Sequence, residues 1–198
     1  MFFCKPKRSP VDFLVVGLGN PGKKYEGTRH NAGFVALELL AQKLGIKVNR
    51  VKFKSFCGDG MIGDCRVLLM QPQTFMNASG EAVKEAMGFY KLKPEQVLVI
   101  LDDISLPVGA LRIRRKGSDG GQKGMQSIIT LSGSDEFPRI KIGIGEKPHP
   151  DYDLSAWVLS RFTKQEAPLL LEVAQTAVMA ACMIVQGDID QAMNRYSK

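Results

Sequence analysis

The sequence predicts an α/β fold: one domain built as a three-layer sandwich, a mixed, twisted β-sheet with helices on both faces. Three observations predict it. Short runs rich in Val, Ile and Leu alternate along the chain with longer stretches whose apolar residues recur at helical spacing. The 198 residues, 44% hydrophobic, are enough to fill one core. No internal repeat and no low-complexity linker divides them.

Residues Phe13–Leu18 (FLVVGL) read as a buried strand, and Ala32–Leu44 as the first helix. Lys47–Phe56 is a weaker strand candidate, and Val67–Met70 a better one. The spacing predicts a helix over Ser79–Tyr90, strands over Val97–Leu101 and Leu111–Arg114, a helix over Gln122–Leu131 and a strand over Ile140–Ile144. The longest helix is expected over Lys164–Gln186, with Thr163 and Glu166 in capping-box spacing at its start and Gly187 closing it. A short helical tail, Ile189–Tyr196, completes the chain.

Composition limits the function classes. With 24% charged residues and no apolar run judged long enough to span a bilayer, the chain reads as neither disordered nor membrane-embedded. Residues 1–10 carry a two-Phe patch and then Lys5, Lys7 and Arg8, too short for a secretory leader. They are expected to form a flexible basic N-terminus ahead of a domain spanning 11–198 in a cytoplasmic protein, with an organellar origin after leader removal also open. Cys4, Cys57, Cys65 and Cys182 form no C-x-x-C pair and have no clustered histidines beside them, which argues against a zinc site or a disulfide framework. The net charge of +7 favours an anionic partner.

That charge is uneven. Between Leu111 and Lys123 five cations (Arg112, Arg114, Arg115, Lys116 and Lys123) stand against Asp119 alone, and the segment runs through the glycine-rich turn KGSDGGQKG. Arg112 and Arg114 alternate with apolar Leu111 and Ile113, as on a strand with one cationic face, and the glycines let backbone N–H groups approach a phosphate. The same pattern also suits a basic edge strand whose charge only prevents edge pairing.

Polar residues succeed three of the strands: Asn20 after FLVVGLG, Asn77 after VLLMQPQTFM and Asp102 after VLVIL. Ligand sites in open α/β sheets form outside the carboxyl ends of strands, so these three are candidates for one crevice. Each also has a structural reading, as a turn residue, a helix cap or an ion-pair member. The chain has two histidines. His149 lies in the Pro-flanked loop KPHPDYD and reads as solvated, whereas His30, in GTRHNAG at the entry to the first helix, can reach the crevice where Asp102 would orient it. A helix-entry histidine with a structural role fits the spacing as well.

Other motifs fit worse. Gly17, Gly19 and Gly22 match G-x-G-x-x-G after a strand, but Pro21 and the loop beyond it delay the helix, and no acidic residue ends a second strand at the required distance. There is no G-x-S-x-G elbow and no G-x-x-x-x-G-K-[ST] loop.

The blocks VVGLGNPGKKYEGTRHNAGF, QPQTFMNASGEAV, LVILDDISLPVGALRIR, GGQKG and FPRIKIGIG, in this order and spacing, resemble the bacterial peptidyl-tRNA hydrolase family from Leu14 to about Tyr196. The resemblance implies hydrolysis of the ester between peptide and tRNA, with tRNA as partner, no membrane, no metal, no cofactor, and a monomeric enzyme. It implies His30 as general base, Asp102 as its orienting carboxylate, and Asn20 and Asn77 as contacts to the peptidyl-adenosine end. By the same resemblance Tyr25 and Phe75 line the cleft, and Arg114 and Lys141 meet the acceptor-stem backbone. The glycine loop departs from the family: a His-Asn pair common there is Gln122-Lys123 here, which leaves Lys123 as a substrate contact of altered chemistry. A plant organellar branch of the same fold acts in RNA splicing, so a non-catalytic RNA-binding protein is the alternative.

Overall fold

The computed structural model describes residues 11–197, so the expectation for the basic N-terminus lies outside the described residues. Seven strands form one sheet: β1 Phe13–Gly17, β2 Arg50–Lys52, β3 Ser55–Ile62, β4 Cys65–Pro72, β5 Val97–Asp103, β6 Leu111–Arg114 and β7 Arg139–Gly143, in the order β2-β3-β4-β1-β5-β7-β6. The four central strands, β4, β1, β5 and β7, are mutually parallel, and the antiparallel pairs lie at the two edges. Parallel strands buried on both faces need apolar residues at every position. Leu14, Val15 and Val16 of β1 and Leu98, Val99 and Ile100 of β5 are accordingly all fully buried.

Alternation along those strands separates two cores. Val15, Leu98 and Ile100 pack under α1 (Ala32–Leu44), α5 (Glu166–Val185) and α6 (Ile189–Tyr196). Leu14, Val16, Val97 and Val99 pack on the other face, under α2 (Ser79–Tyr90) and α3 (Lys123–Ser132). The three-layer sandwich is therefore the observed architecture. A sixth short helix, α4 (Leu154–Val158), opens at Asp153, whose carboxylate accepts from the Ala156 N–H. At the start of α5, Thr163 and Glu166 exchange side-chain and backbone hydrogen bonds at 3.2 and 2.8 Å, the expected box. Over 20 residues α5 is long and apolar enough to cross a bilayer, contrary to the expectation that no apolar run is. Half of that stretch is buried in the protein, where Val173, Ala177, Ala181 and Ile184 fill the first core.

The structure corrects the weak strand over Lys47–Phe56, which is a hairpin, β2–β3. Its turn residues Phe53 and Lys54 both have positive φ, 51° and 50°, where Asn-Gly is the usual signal. Phe53 is buried between Phe89 and Tyr90, at ring distances of 5.3 and 5.7 Å, and that packing offsets the roughly 1–2 kcal/mol of left-handed backbone. β3 is hidden in the sequence because Gly58 and Gly60 make it look like loop. A Cβ on Gly58 would sit 2.6 Å from the Lys47 carbonyl oxygen, so the strand needs glycine there for the chain to cross it.

Candidate active site

Three adjacent parallel strands, β4, β1 and β5, end at one side of the sheet, and each delivers a polar side chain there. β1 leads to Asn20, β5 carries Asp102 near its end, and β4 leads to a 3-10 turn, Met76–Ala78, that holds Asn77. His30 arrives from another 3-10 turn, Arg29–Asn31, that opens α1. Close packing of that helix start on the strand ends requires glycine. A Cβ on Gly33 would lie 2.3 Å from the Ile100 carbonyl oxygen, and one on Gly17 would lie 2.5 Å from the Gly33 oxygen. The helix therefore begins at Ala32, well past Gly22, and the dinucleotide-binding geometry is absent here.

These residues line a cavity of about 460 Å³ that includes Asn20, His30, Asn77, Asp102, Lys123 and Lys141. At its floor is a buried hydrogen-bond chain. The Met125 N–H donates to Gln122 Oε1 at 2.7 Å, which caps α3 and turns the Gln122 amide nitrogen toward Asp102 Oδ1 at 3.0 Å. The other carboxylate oxygen of Asp102 lies 2.8 Å from His30 Nδ1. With Asp102 as a double acceptor, Nδ1 carries the proton, and Nε2 is left as the basic nitrogen for the cavity. Sequence reasoning missed Gln122 as a site residue, because only its departure from the family's pair was visible. Its spacing three residues before Met125, at a helix start, was the available signal.

Asn20 is fixed in the same manner. Its Oδ1 accepts from the Met76 N–H at 2.8 Å, so its amide nitrogen faces elsewhere and has no partner among the described residues. Asn31 clamps the loop beneath it, accepting from the Asn20 N–H at 2.8 Å and donating to the Asn20 carbonyl at 3.0 Å. Asn31 is another residue that sequence reasoning passed over, although it sits one place beyond His30.

The remaining expected residues divide. Asn77 lines the cavity and is exposed. Lys123 opens α3 at the rim, exposed, with Nζ 3.2 Å from Gln126 Oε1. Lys141 is in the cavity but paired: its Nζ donates to Asp103 Oδ2 at 2.9 Å. Burial would push the Asp103 carboxyl up, but hydrogen bonds from Lys141 and Ser105 outweigh it and hold it below the usual carboxylate range. Arg114 lies outside the cavity on β6, exposed, and Arg112 stands directly opposite Lys141. Tyr25 and Phe75 are not among the cavity-lining residues; they meet edge to face at 6.2 Å, with Phe75 57% exposed. His149 is exposed against Tyr152, away from the cavity. Among the described residues no group of three or more His, Cys, Asp or Glu could hold a metal ion.

α4 and the residue after it give the cavity an apolar wall through Leu154, Val158 and Leu159, in addition to Met76, Leu101 and Ile104 elsewhere in the lining. This helix is not visible in the sequence, because five residues are too few to show a period. It is held against the His30 turn by Arg29, a 2% exposed arginine that donates to the Ile144 carbonyl (2.9 Å), Ser160 Oγ (3.2 Å) and Glu166 Oε2 (2.7 Å). Its guanidinium lies 3.9 Å from the Trp157 ring centre and 4.8 Å from that of Phe162. Desolvated cation–π contacts of this kind contribute up to about 2 kcal/mol each.

Comparison with known proteins agrees with this architecture. The profile of the family "Peptidyl-tRNA hydrolase" matches residues 14–198. A peptidyl-tRNA hydrolase of Alkaliphilus metalliredigens is 52% identical over 186 residues, covering 93% of this chain and 99% of that protein. One from Caldanaerobacter subterraneus is 51% identical over 185 residues, again covering 93% and 99%. The crystal structure of the Acinetobacter baumannii peptidyl-tRNA hydrolase superposes with a TM-score of 0.88 at 35% identity, covering 96% of this chain and 99% of that one. The chain belongs to the peptidyl-tRNA hydrolase family.

Proposed function

We propose that this protein hydrolyses the ester bond between peptide and tRNA in peptidyl-tRNA, releasing free tRNA and free peptide, with His30 as the general base. One observation carries the reading: the buried chain Gln122–Asp102–His30 ends on a basic Nε2 in the cavity that Asn20 also lines. A water held at Nε2 loses a proton to it as its oxygen attacks the ester carbonyl carbon. Asp102 balances the imidazolium that forms. The Asn20 amide, held by Met76, donates to the developing oxyanion, an interaction worth roughly 3 kcal/mol in comparable acyl-transfer sites. Collapse breaks the bond to the ribose oxygen, and the imidazolium returns its proton there. An ester needs less activation than an amide, so a positioned water and one base suffice.

Asn77 contacts the peptidyl-adenosine end, and Tyr25 and Phe75, outside the cavity lining, pack against the tRNA terminus or the peptide. Lys123 replaces a neutral contact by a charge-assisted one. Arg114 and Lys141 meet acceptor-stem phosphates, Lys141 by exchanging Asp103 for phosphate. The protein acts as a monomer in the cytoplasm, free of the membrane. The non-catalytic RNA-binding alternative is disfavoured, because the relatives are named as hydrolases and such a protein needs no oriented base.

Incubation with peptidyl-tRNA tests the reading directly. Wild-type protein should release peptide, and His30→Ala should lose at least about 10²-fold in kcat while still binding uncharged tRNA. Tight binding without release by the wild type would favour the RNA-binding alternative, and near-normal turnover by His30→Ala would remove the base assigned here.

A further inference from the structure

The proposed chemistry leaves one buried cation unused. Arg29 immediately precedes the base and is itself nearly inaccessible, and its guanidinium hydrogen-bonds to the segment between β7 and α5 and to the first residue of α5. Every polar contact it makes lies on that segment or at the start of α5: the Ile144 carbonyl, the Ser160 hydroxyl and the Glu166 carboxylate. Its backbone N–H donates to the Ser160 carbonyl at 2.9 Å, and Thr28 bridges Arg161. Trp157 and Phe162 pack on the guanidinium. Between these anchor points sits α4, which gives the cavity Leu154, Val158 and Leu159.

We propose that Arg29 is a positioning residue that fastens the apolar wall of the cavity to the turn bearing the base, and that this wall receives the peptide side of the substrate. The proposal rests on the reading of the cavity as the peptidyl-tRNA site. Phosphates and ribose are drawn to the part of the cavity that carries Lys123 and Lys141. A wall of Leu and Val offers them nothing and suits the side chains of the peptide's last residues. Five residues of helix and the leucine after them, with Leu154 and Leu159 both exposed, cannot hold that position by burial alone. Within the segment Trp157 Nε1 donates to the Gly145 carbonyl at 2.9 Å, and the guanidinium of the residue next to His30 ties the wall to the turn that bears the base. Base and wall therefore keep one spacing, which places a bound ester carbonyl in reach of Nε2.

The chain's single tryptophan reports on the contact, since Trp157 is the ring nearest the guanidinium. Arg29→Met keeps the apolar stem and removes the fork. It should change the Trp157 emission and raise KM for peptidyl-tRNA about tenfold, with kcat within about threefold and the pH profile of kcat unaltered. The KM penalty should grow with a bulky apolar residue at the peptide's C-terminal position and shrink with glycine there. Arg29→Lys should recover part of KM. Unchanged emission with wild-type KM, or a KM penalty equal for every peptide, would overturn the proposal, as would a loss confined to kcat. Should Arg29→Met fail to fold, Glu166→Gln carries the test: it retains an acceptor for Thr163 and weakens one arm of the fork, so the same KM pattern is expected at about two- to threefold. If the wild type releases no peptide, the reading of the cavity has failed, whereas the emission change with Arg29→Met still tests the fastening.

Discussion

The cavity has two unlike walls, and each hangs from a buried arginine. Arg29 holds the α4 wall through a carboxylate, a hydroxyl, a carbonyl and two aromatic rings. Arg139, 1% exposed at the start of β7, reaches the glycine loop beside α3 in another way: it donates to the Ser118 carbonyl in that loop and to the carbonyls of Asp135 and Phe137 just before its own strand. Burial pushes its guanidinium down from the ordinary value, and nearby Asp135 and Asp119 pull it back. The contrast comes from the side chains each wall offers. The segment KGSDGG has none to bury, so it can be gripped only by its backbone, whereas the α4 segment presents Trp157, Phe162 and Glu166 and is gripped by side chains. The polar wall is thus held without a direct ion pair, whereas the apolar wall is held with one, between Arg29 and Glu166.

The comparison breaks first at Arg139. Arg139→Met removes the donor to the buried Phe137 carbonyl and to the part-buried carbonyls of Ser118 and Asp135, at about 1–3 kcal/mol for each polar group left unpaired, so a loss near 3 kcal/mol and a fall in Tm of roughly 6–12 °C are expected. Calorimetry showing a smaller loss than Arg29→Met would mean the backbone grip is the weaker one. Next in size is Gln122→Ala. It removes a helix cap and the second donor to Asp102, so about 1 kcal/mol of stability and about tenfold in kcat should go. A wild-type kcat would show that Asp102 orients His30 unaided.

Salt sharpens the contrast between the walls. Lys141→Ala or Arg114→Ala should weaken tRNA binding and flatten log K against log[salt] by roughly 0.7–0.9 per lost phosphate contact. Leu159→Ser on the other wall should weaken substrate binding with the slope unchanged. Equal slopes for both sets would dissolve the distinction. At Lys123, exposed at the rim, Lys123→Asn should give the smallest change, a slightly shallower slope with most of kcat kept.

Acid should loosen both walls. The Asp103 carboxyl is held low against its burial by Lys141 and Ser105, and that of Glu166 is held low against its burial by Arg29 and Thr163. A depressed folded-state pKa stabilises fully above the unfolded carboxylate range, near pH 4, and the stabilisation goes as pH falls through the lowered value. Denaturant unfolding followed downward from about pH 5 should show that decline, reduced in Asp103→Asn.

Most of the architecture was legible because period and burial agree: α1, α2 and α6 were read residue for residue, since each has one apolar face against the sheet. Where side-chain packing overrode a local signal, the reading failed, as at Phe53 in its left-handed turn and at the glycines of β3 under Ile46. In the site, His30, Asp102, Asn20 and Asn77 could be read from strand ends and from the resemblance. Gln122, Asn31 and Arg29 could not, because each acts through a contact far away in sequence: Gln122 on Asp102, Asn31 on the Asn20 backbone, Arg29 on Glu166.

The central place of β1 has a consequence for how the protein is made. Its two neighbours, β4 and β5, begin only at Cys65 and Val97, so the first hydrophobic strand to be synthesised stays unpaired until much of the chain exists. Non-local pairing of this kind folds slowly and exposes apolar surface while it waits. His30 is made early too, but Arg29 finds its partners only when Ile144, Ser160 and Glu166 have emerged. On the ribosome, the nascent chain therefore carries an unassembled site until the stretch from Ile144 to Glu166 has emerged.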